Sequence, residues 1–366
     1  MAKTHSRLSR LTVLYASSLF LAAPNAARSW DQFGKYIFDS HTVLTRSAAE
    51  GANGALRGTH SAAIAAWLKE LTQKPAADGL VPEDFELDLK TLKGGFYQTD
   101  EIRYSTLLTS NRLQLGNVAA DYPQRLNLHG TSKSALFRFY SQVWNEQLGV
   151  ELAESTYEHF NPIGMGMPVH FLRAYAETGG KPPVKLDSAR LSCDKAVSLI
   201  EKFTDRAWKE WLRGTNASDK SEALRAYELM YFALGVAAHA IEDSFSPAHA
   251  QRSTTDPRVI EDLCYYYDNA LLPPAQAKAC VHLFGFNADP RDSIHFKGDD
   301  KYASTAAPAR LAAMAAQAYL TSFGELALDE FSGGRARTLA GTMQEFLVTG
   351  RNVGQGYFDC STLPAN

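Results

Sequence analysis

The stretch SEALRAYELMYFALGVAAHAIEDSF, residues 221–245, is apolar on nearly every face. A helix exposed on one side would alternate apolar and polar stripes, so this pattern predicts a helix buried at the centre of a bundle. Outward from it, residues 187–213 repeat Leu191, Ala196, Ile200, Phe203 and Trp208 near helical spacing, and residues 60–72 (HSAAIAAWLKELT) read the same way. An Ala-rich run over 307–331 begins at Pro308, a good first-turn residue, and stops before Ser332-Gly333-Gly334. A last helix is expected over 336–348. Strand-like alternation is scarce. The expectation is an all-α, single compact multi-helix domain, with long Gly-, Pro- and Asp-rich loops over roughly 73–100, 160–186 and 285–304.

Composition narrows the functional classes. Of 366 residues, 45% are hydrophobic and 21% charged, as in an ordinary globular chain. Lys plus Arg is 37 and Asp plus Glu is 40, a formal net charge of −3. That balance argues against whole-surface attraction to nucleic acid or an anionic bilayer as the main driving force. The N-terminus reads as an export signal: basic MAKTHSRLSR, apolar LTVLYASSLFLAA, then small Ala27 and Ser29 at the −3 and −1 positions before Trp30. Residues 1–29 are thus expected to be removed, leaving 30–366 secreted or periplasmic, with no transmembrane segment in the mature chain. The mature chain keeps four cysteines, Cys193, Cys264, Cys280 and Cys360, with no CxxC pair. Three disulfide connectivities are open, and Cys264 with Cys280 is the natural guess, closing a loop over Leu271-Leu272-Pro273-Pro274.

The chemistry concentrates in HAIEDSFSPAH, residues 239–249. His239 and Asp243 stand four apart, on one face of an otherwise apolar helix. Pro247 should end that helix, and the following turn can return His249 towards its C-terminal end. Two imidazoles and a carboxylate in an apolar wall suit zinc. A self-satisfied buried His–Asp pair is the competing reading of the same spacing.

The pattern His-x3-Asp-x5-His resembles the zinc-dependent phospholipase C family of bacterial lecithinases, whose relatives are trinuclear-zinc single-strand nucleases and 3′-nucleotidases. The resemblance extends in order over residues 30 to 300. Trp30 would be the mature N-terminal ligand through its amine and carbonyl, and His41 follows it in WDQFGKYIFDSH. LQLGNVAADY offers Asp121, EHFNP offers His159 (with His129 as a competitor), and IHFKGD offers His295 and Asp299, with Asp300 adjacent. His170 and His282 read as structural, and His60 as a surface helix residue.

The resemblance implies three Zn2+ per chain around one cleft. One would be held by Asp121, His159, His239 and Asp243. A second would take Trp30 and His41, with Asp243 bridging it to the first, and the third would take His249, His295 and Asp299. It further implies hydroxide attack on a phosphodiester, with Asp121 orienting or deprotonating the water, and hydrolysis of phosphatidylcholine-like lipids at a membrane surface to diacylglycerol and phosphocholine. Phospholipid is the first choice of partner over nucleic acid, and the protein is expected to act as a monomer. Tyr122, with Phe33 and Tyr157, would line the mouth, where an aromatic face attracts a choline cation. Asp299, standing where the phospholipase branch has Glu, fits the nuclease branch instead. The 66 residues after Asp300 read as helices, not as the lipid-binding β-sandwich that haemolytic members carry.

Overall fold

The computed structural model describes residues 40–75, 107–108, 110–121, 135–148, 167–176, 185–246, 249–253, 255–256, 259–267, 281–283, 307–333, 358 and 360–365. Six α-helices lie among them: α1 (Ser40–Gln73), α2 (Ser110–Asp121), α3 (Ala135–Leu148), α4 (Ala189–Asn216), α5 (Lys220–Asp243) and α6 (Ala307–Phe331). The fold is all-α. Short β-ribbons decorate it: β1 (Tyr175–Ala176) with β2 (Lys185–Leu186) and β3 (Ala250–Arg252) with β4 (Ile260–Leu263) are antiparallel, while β5 (Tyr265–Tyr267) with β6 (Val281–Leu283) is parallel. No described helix is long and apolar enough to cross a membrane.

α5 occupies the centre, as its composition requires. Every residue from Ala226 to Asp243 is buried, and the helix packs against α1, α2, α4 and α6. Its start is fixed by Asp219, whose side chain accepts from the Glu222 N–H at 2.8 Å. α4 is capped likewise by Ser188, which accepts from Leu191. Both helices therefore begin where sequence periodicity placed them, within a few residues.

α1 is longer than the expected 60–72. It runs from Ser40 and kinks at His60, where φ is −126° and ψ 27°. Gly51 in its first half lies against the side chain of Gln317 on α6, and Gly324 on α6 lies against Leu56. Two of the glycines that dilute the helical signal, Gly51 and Gly324, thus lie on the α1–α6 contact. α2 and α3 were not expected as helices. The expected helix over 336–348 lies outside the described residues.

The close crossing of α2 and α5 matters most for function. A Cβ placed on Gly116 would collide with the Phe232 carbonyl oxygen, and one on Gly235 with the Leu113 carbonyl oxygen. Backbone therefore meets backbone, and Asn117 is brought against the last turns of α5. Away from this crossing the core is aromatic: Trp67 donates to the Tyr227 hydroxyl at 3.0 Å, and Trp67, Trp211 and Tyr227 pack ring to ring. Cys193 on α4 is joined to Cys360 near the C-terminus. Cys264 is disulfide-bonded as well; Cys280, the partner expected for it, lies outside the described residues.

Candidate metal centre

Four separate pieces of chain converge on the C-terminal end of α5. His41 comes from the first turn of α1 and Asn117 from α2. His170 ends a buried 3-10 turn, Met167–His170, that packs on α4 and α5. His239, Glu242 and Asp243 come from α5 itself. His249 returns by a tight turn in which the Ser246 carbonyl accepts from the backbone N–H groups of both His249 and Ala250. Arg252 locks that turn, donating to the Ser244 carbonyl at 2.7 Å and lying over the Phe245 ring. The Cys264 N–H donates to the His249 carbonyl, holding the returned strand in place.

Asp243 is the hub. Its Oδ1 lies 3.1 Å from His41 Nε2. Its Oδ2 lies 2.9 Å from His239 Nε2, 3.2 Å from His170 Nδ1 and 3.5 Å from His249 Nδ1. All five side chains are buried. The His239–Asp243 helix spacing thus works as the sequence suggested, and His41 and His249 join it from a distance. His170, read from sequence as structural, also faces the cluster: its Nδ1 is 3.3 Å from His239 Nε2 as well.

A second layer of hydrogen bonds decides which ring nitrogens carry protons. Thr45 donates to Glu242 Oε1 at 2.8 Å, and Asn117 Nδ2 donates to Thr45 Oγ1 at 2.7 Å and to Glu242 Oε2 at 3.0 Å. An amide nitrogen only donates, so the Asn117 orientation is fixed: the flipped amide would set oxygen against carboxylate. Asn117 Oδ1 then faces His239 Nδ1 at 3.3 Å, which must be the N–H. Glu242 Oε2 likewise accepts from His41 Nδ1 at 2.9 Å. In the neutral rings both Nε2 atoms are left with lone pairs, and both point at Asp243. Lone pair facing carboxylate is repulsive unless a cation stands between them.

The electrostatics follow from that crowding. Burial lowers His239, and the charge of His41 adds to this, so it falls to about 4 despite Asp243. Burial likewise lowers His170 to about 4, against the pull of Asp243. Burial also lowers His41, but the charges of and hydrogen bonds to Asp243 and Glu242 win, and it rises well above the ordinary 6.5. Asp243, pushed up by burial, is nevertheless held well below the usual carboxylate range by the surrounding imidazoles. Burial raises Glu242, opposed by His41. In the cation-free cluster His41 is thus the hydrogen-bonded imidazolium, and the His239 and His170 rings are neutral.

His41, His239 and Asp243 each offer a ligand atom within 4.8 Å of the others, so this group could hold a metal ion. Imidazole nitrogens plus a carboxylate, with outer partners fixing the tautomers, form a donor set that suits a divalent transition metal.

Trp30, Phe33, Tyr122, Tyr157, His159, His295 and Asp299 lie outside the described residues, as do the alternatives His129 and Asp300. Asp121 closes α2, one turn beyond Asn117, but its side chain is not described. His282 is in β6. His60 sits at the α1 kink, partly exposed, with Nε2 3.3 Å from Asp329. No protein-family model, no curated protein and no solved structure matches the chain.

Proposed function

We propose that the protein is an exported zinc-dependent phospholipase C, hydrolysing phosphatidylcholine-like lipids to diacylglycerol and phosphocholine. The observation that carries this reading is the use of both Asp243 oxygens. One faces His41 from α1 and the other faces His239 within α5, which is the arrangement a carboxylate shared between two cations requires.

In this reading His170 lies beside His239 and Asp243 at one zinc, to which the resemblance also brings Asp121 and His159. Its support is the pair of distances from its Nδ1 to Asp243 and His239. His41 and Asp243 serve the second zinc together with the Trp30 amine and carbonyl. His249 serves the third, with His295 and Asp299. The His249 Nδ1 donates to the His170 carbonyl, so the neutral ring keeps its lone pair on Nε2. When bound, zinc supplies Lewis acidity towards a phosphoryl oxygen and lowers the pKa of water enough to give a nucleophile near neutral pH. The chain's own contribution would be a wall of α5 apolar residues, imidazoles oriented by their outer hydrogen-bond partners, and Asp121 as the group that would orient the attacking water. Tyr122, Phe33 and Tyr157 would receive the choline group.

A nuclease or 3′-nucleotidase on the same centre is the second reading, favoured by one feature: Asp, not Glu, at position 299. Purified mature protein assayed on phosphatidylcholine vesicles and on single-stranded DNA, with and without chelator, separates the two. Chelator-sensitive, zinc-restored release of phosphocholine is expected. DNA cleavage without lipid hydrolysis would replace the first reading by the second, and activity on neither substrate would remove both.

A further inference from the structure

The second layer of the cluster has a closed shape. His41 Nδ1 meets Glu242 Oε2, Glu242 Oε2 meets Asn117 Nδ2, Asn117 Oδ1 meets His239 Nδ1, His239 Nε2 meets Asp243 Oδ2, and Asp243 Oδ1 meets His41 Nε2. Thr45 braces the circuit from one turn along α1, donating to Glu242 and accepting from Asn117. All of these residues are buried. The two imidazoles within the circuit stack, ring centroids 4.4 Å apart and 27° from parallel.

From this closure we propose that Asn117, Glu242 and Thr45 act as one positioning relay that holds His41 and His239 in the Nδ1–H tautomer together, so that both Nε2 lone pairs are offered to metal as a matched pair. This rests on the reading of the cluster as a metal centre. The physical need is specific. Both Nε2 atoms lie within hydrogen-bonding distance of Asp243, so a neutral ring free to choose its tautomer would move its proton to Nε2 and donate directly to the carboxylate. That internal hydrogen bond competes with any cation. Asn117 blocks it for His239, and Glu242, by holding the Nδ1 proton, blocks it for the neutral His41 ring. Because Asn117 also donates to Glu242, loss of the one amide loosens both rings. Thr45 reaches His41 and His239 only through Glu242 and Asn117, so its influence on metal would be indirect.

The experiment measures zinc affinity by competition with a chromophoric chelator, using folded mature protein and its Asn117→Leu, Thr45→Val and Thr45→Ser variants. Long-range 1H–15N spectra of the zinc-loaded forms read the tautomers. Asn117→Leu should bind zinc about 10- to 100-fold more weakly, the usual cost of losing an outer partner of a ligand. Thr45→Val should weaken binding in the same direction and Thr45→Ser should restore it, because serine keeps the hydroxyl. Nδ1–H resonances for His41 and His239 should be present in the wild type. If the wild type binds zinc and both Asn117→Leu and Thr45→Val bind it within about twofold of that affinity, the relay is refuted while the metal centre stands. If Asn117→Leu does not fold, the contrast between Val and Ser at position 45 decides alone. A wild type that binds no zinc overturns the metal reading, and the relay falls with it.

Discussion

The imidazole of His41, at the start of α1, lies stacked on that of His239, one turn before the end of α5, with ring centroids 4.4 Å apart. These residues are separated by almost two hundred positions in sequence. Each turns Nε2 to a different oxygen of Asp243. Two stacked imidazolium ions buried together would repel strongly, and His239 is accordingly held neutral while His41 takes the proton. A divalent cation would replace that single proton with a charge that all the surrounding ligand atoms can share.

Asp243→Asn is the sharpest single substitution. It keeps size but removes the charge on which four imidazoles converge. Metal content of the purified variant should fall by more than one ion per chain, because both carboxylate oxygens are in use, and hydrolysis should be lost. Elemental analysis beside an activity assay checks this. A variant with full metal and full activity would remove Asp243 from the centre.

His170 separates a structural from a liganding role. His170→Asn should lower zinc affinity at least about tenfold, by analogy with loss of a tuning partner or ligand. If only the unfolding temperature falls and chelator competition is unchanged, the residue is structural after all.

The pH dependence of stability should differ in sign with and without zinc. His41 has a raised folded value, so in the metal-free chain its stabilising contribution is complete below the ordinary 6.5 and is lost as pH climbs through that raised value. Asp243 has a depressed value, so its contribution persists above the ordinary carboxylate range and is lost only on acidification. Zinc must displace the His41 proton, so its stabilisation should grow with pH. The zinc-induced rise in melting temperature should be larger at about pH 8 than at about pH 6. Calorimetry at the two values, in matched ionic strength, tests the sign.

Gly235→Ala should damage the centre from a distance. The new methyl would meet the Leu113 carbonyl across the α2–α5 crossing. Overpacking of this kind costs about 1–3 kcal/mol, and it would push Asn117 away from Glu242 and His239. Urea unfolding and zinc affinity should both be reduced. Reduction of the Cys193–Cys360 disulfide, which spans 167 residues of chain, should also lower stability, by about 2–5 kcal/mol, but should leave zinc affinity of the folded protein intact.

Much of this organisation could be read from residue order. The α4, α5 and α6 helices announce themselves through periodicity and, for α6, the first-turn proline and terminal glycines. His239, Asp243 and His249 follow from helix spacing and a proline. The first half of α1 was hidden because Gly51, Gly54 and Gly58 weaken a helical reading, although Gly51 lies against the Gln317 side chain of α6. α2 was obscured by Gly116, which exists for the α5 crossing. His170 lacks any spaced partner and sits after a Gly- and Pro-rich segment, so local pattern could not distinguish it from a core histidine. Its clue is three-dimensional: Phe171 beside it adopts φ of +55°, rare for a bulky side chain, while the neighbouring carbonyl of His170 receives His249. Glu242 and Asn117 were visible only as neighbours of better candidates. A side chain that acts through a ligand leaves no spacing of its own.

The most direct test of the central claim is anomalous diffraction at the zinc edge from crystals of the mature protein grown without chelator and supplied with zinc. A peak is expected about 2.0–2.2 Å from His239 Nε2 and an Asp243 oxygen, and a second that shares Asp243 with His41 Nε2. Absence of any peak, with His41 and His239 donating straight to Asp243 at the distances described above, would contradict it.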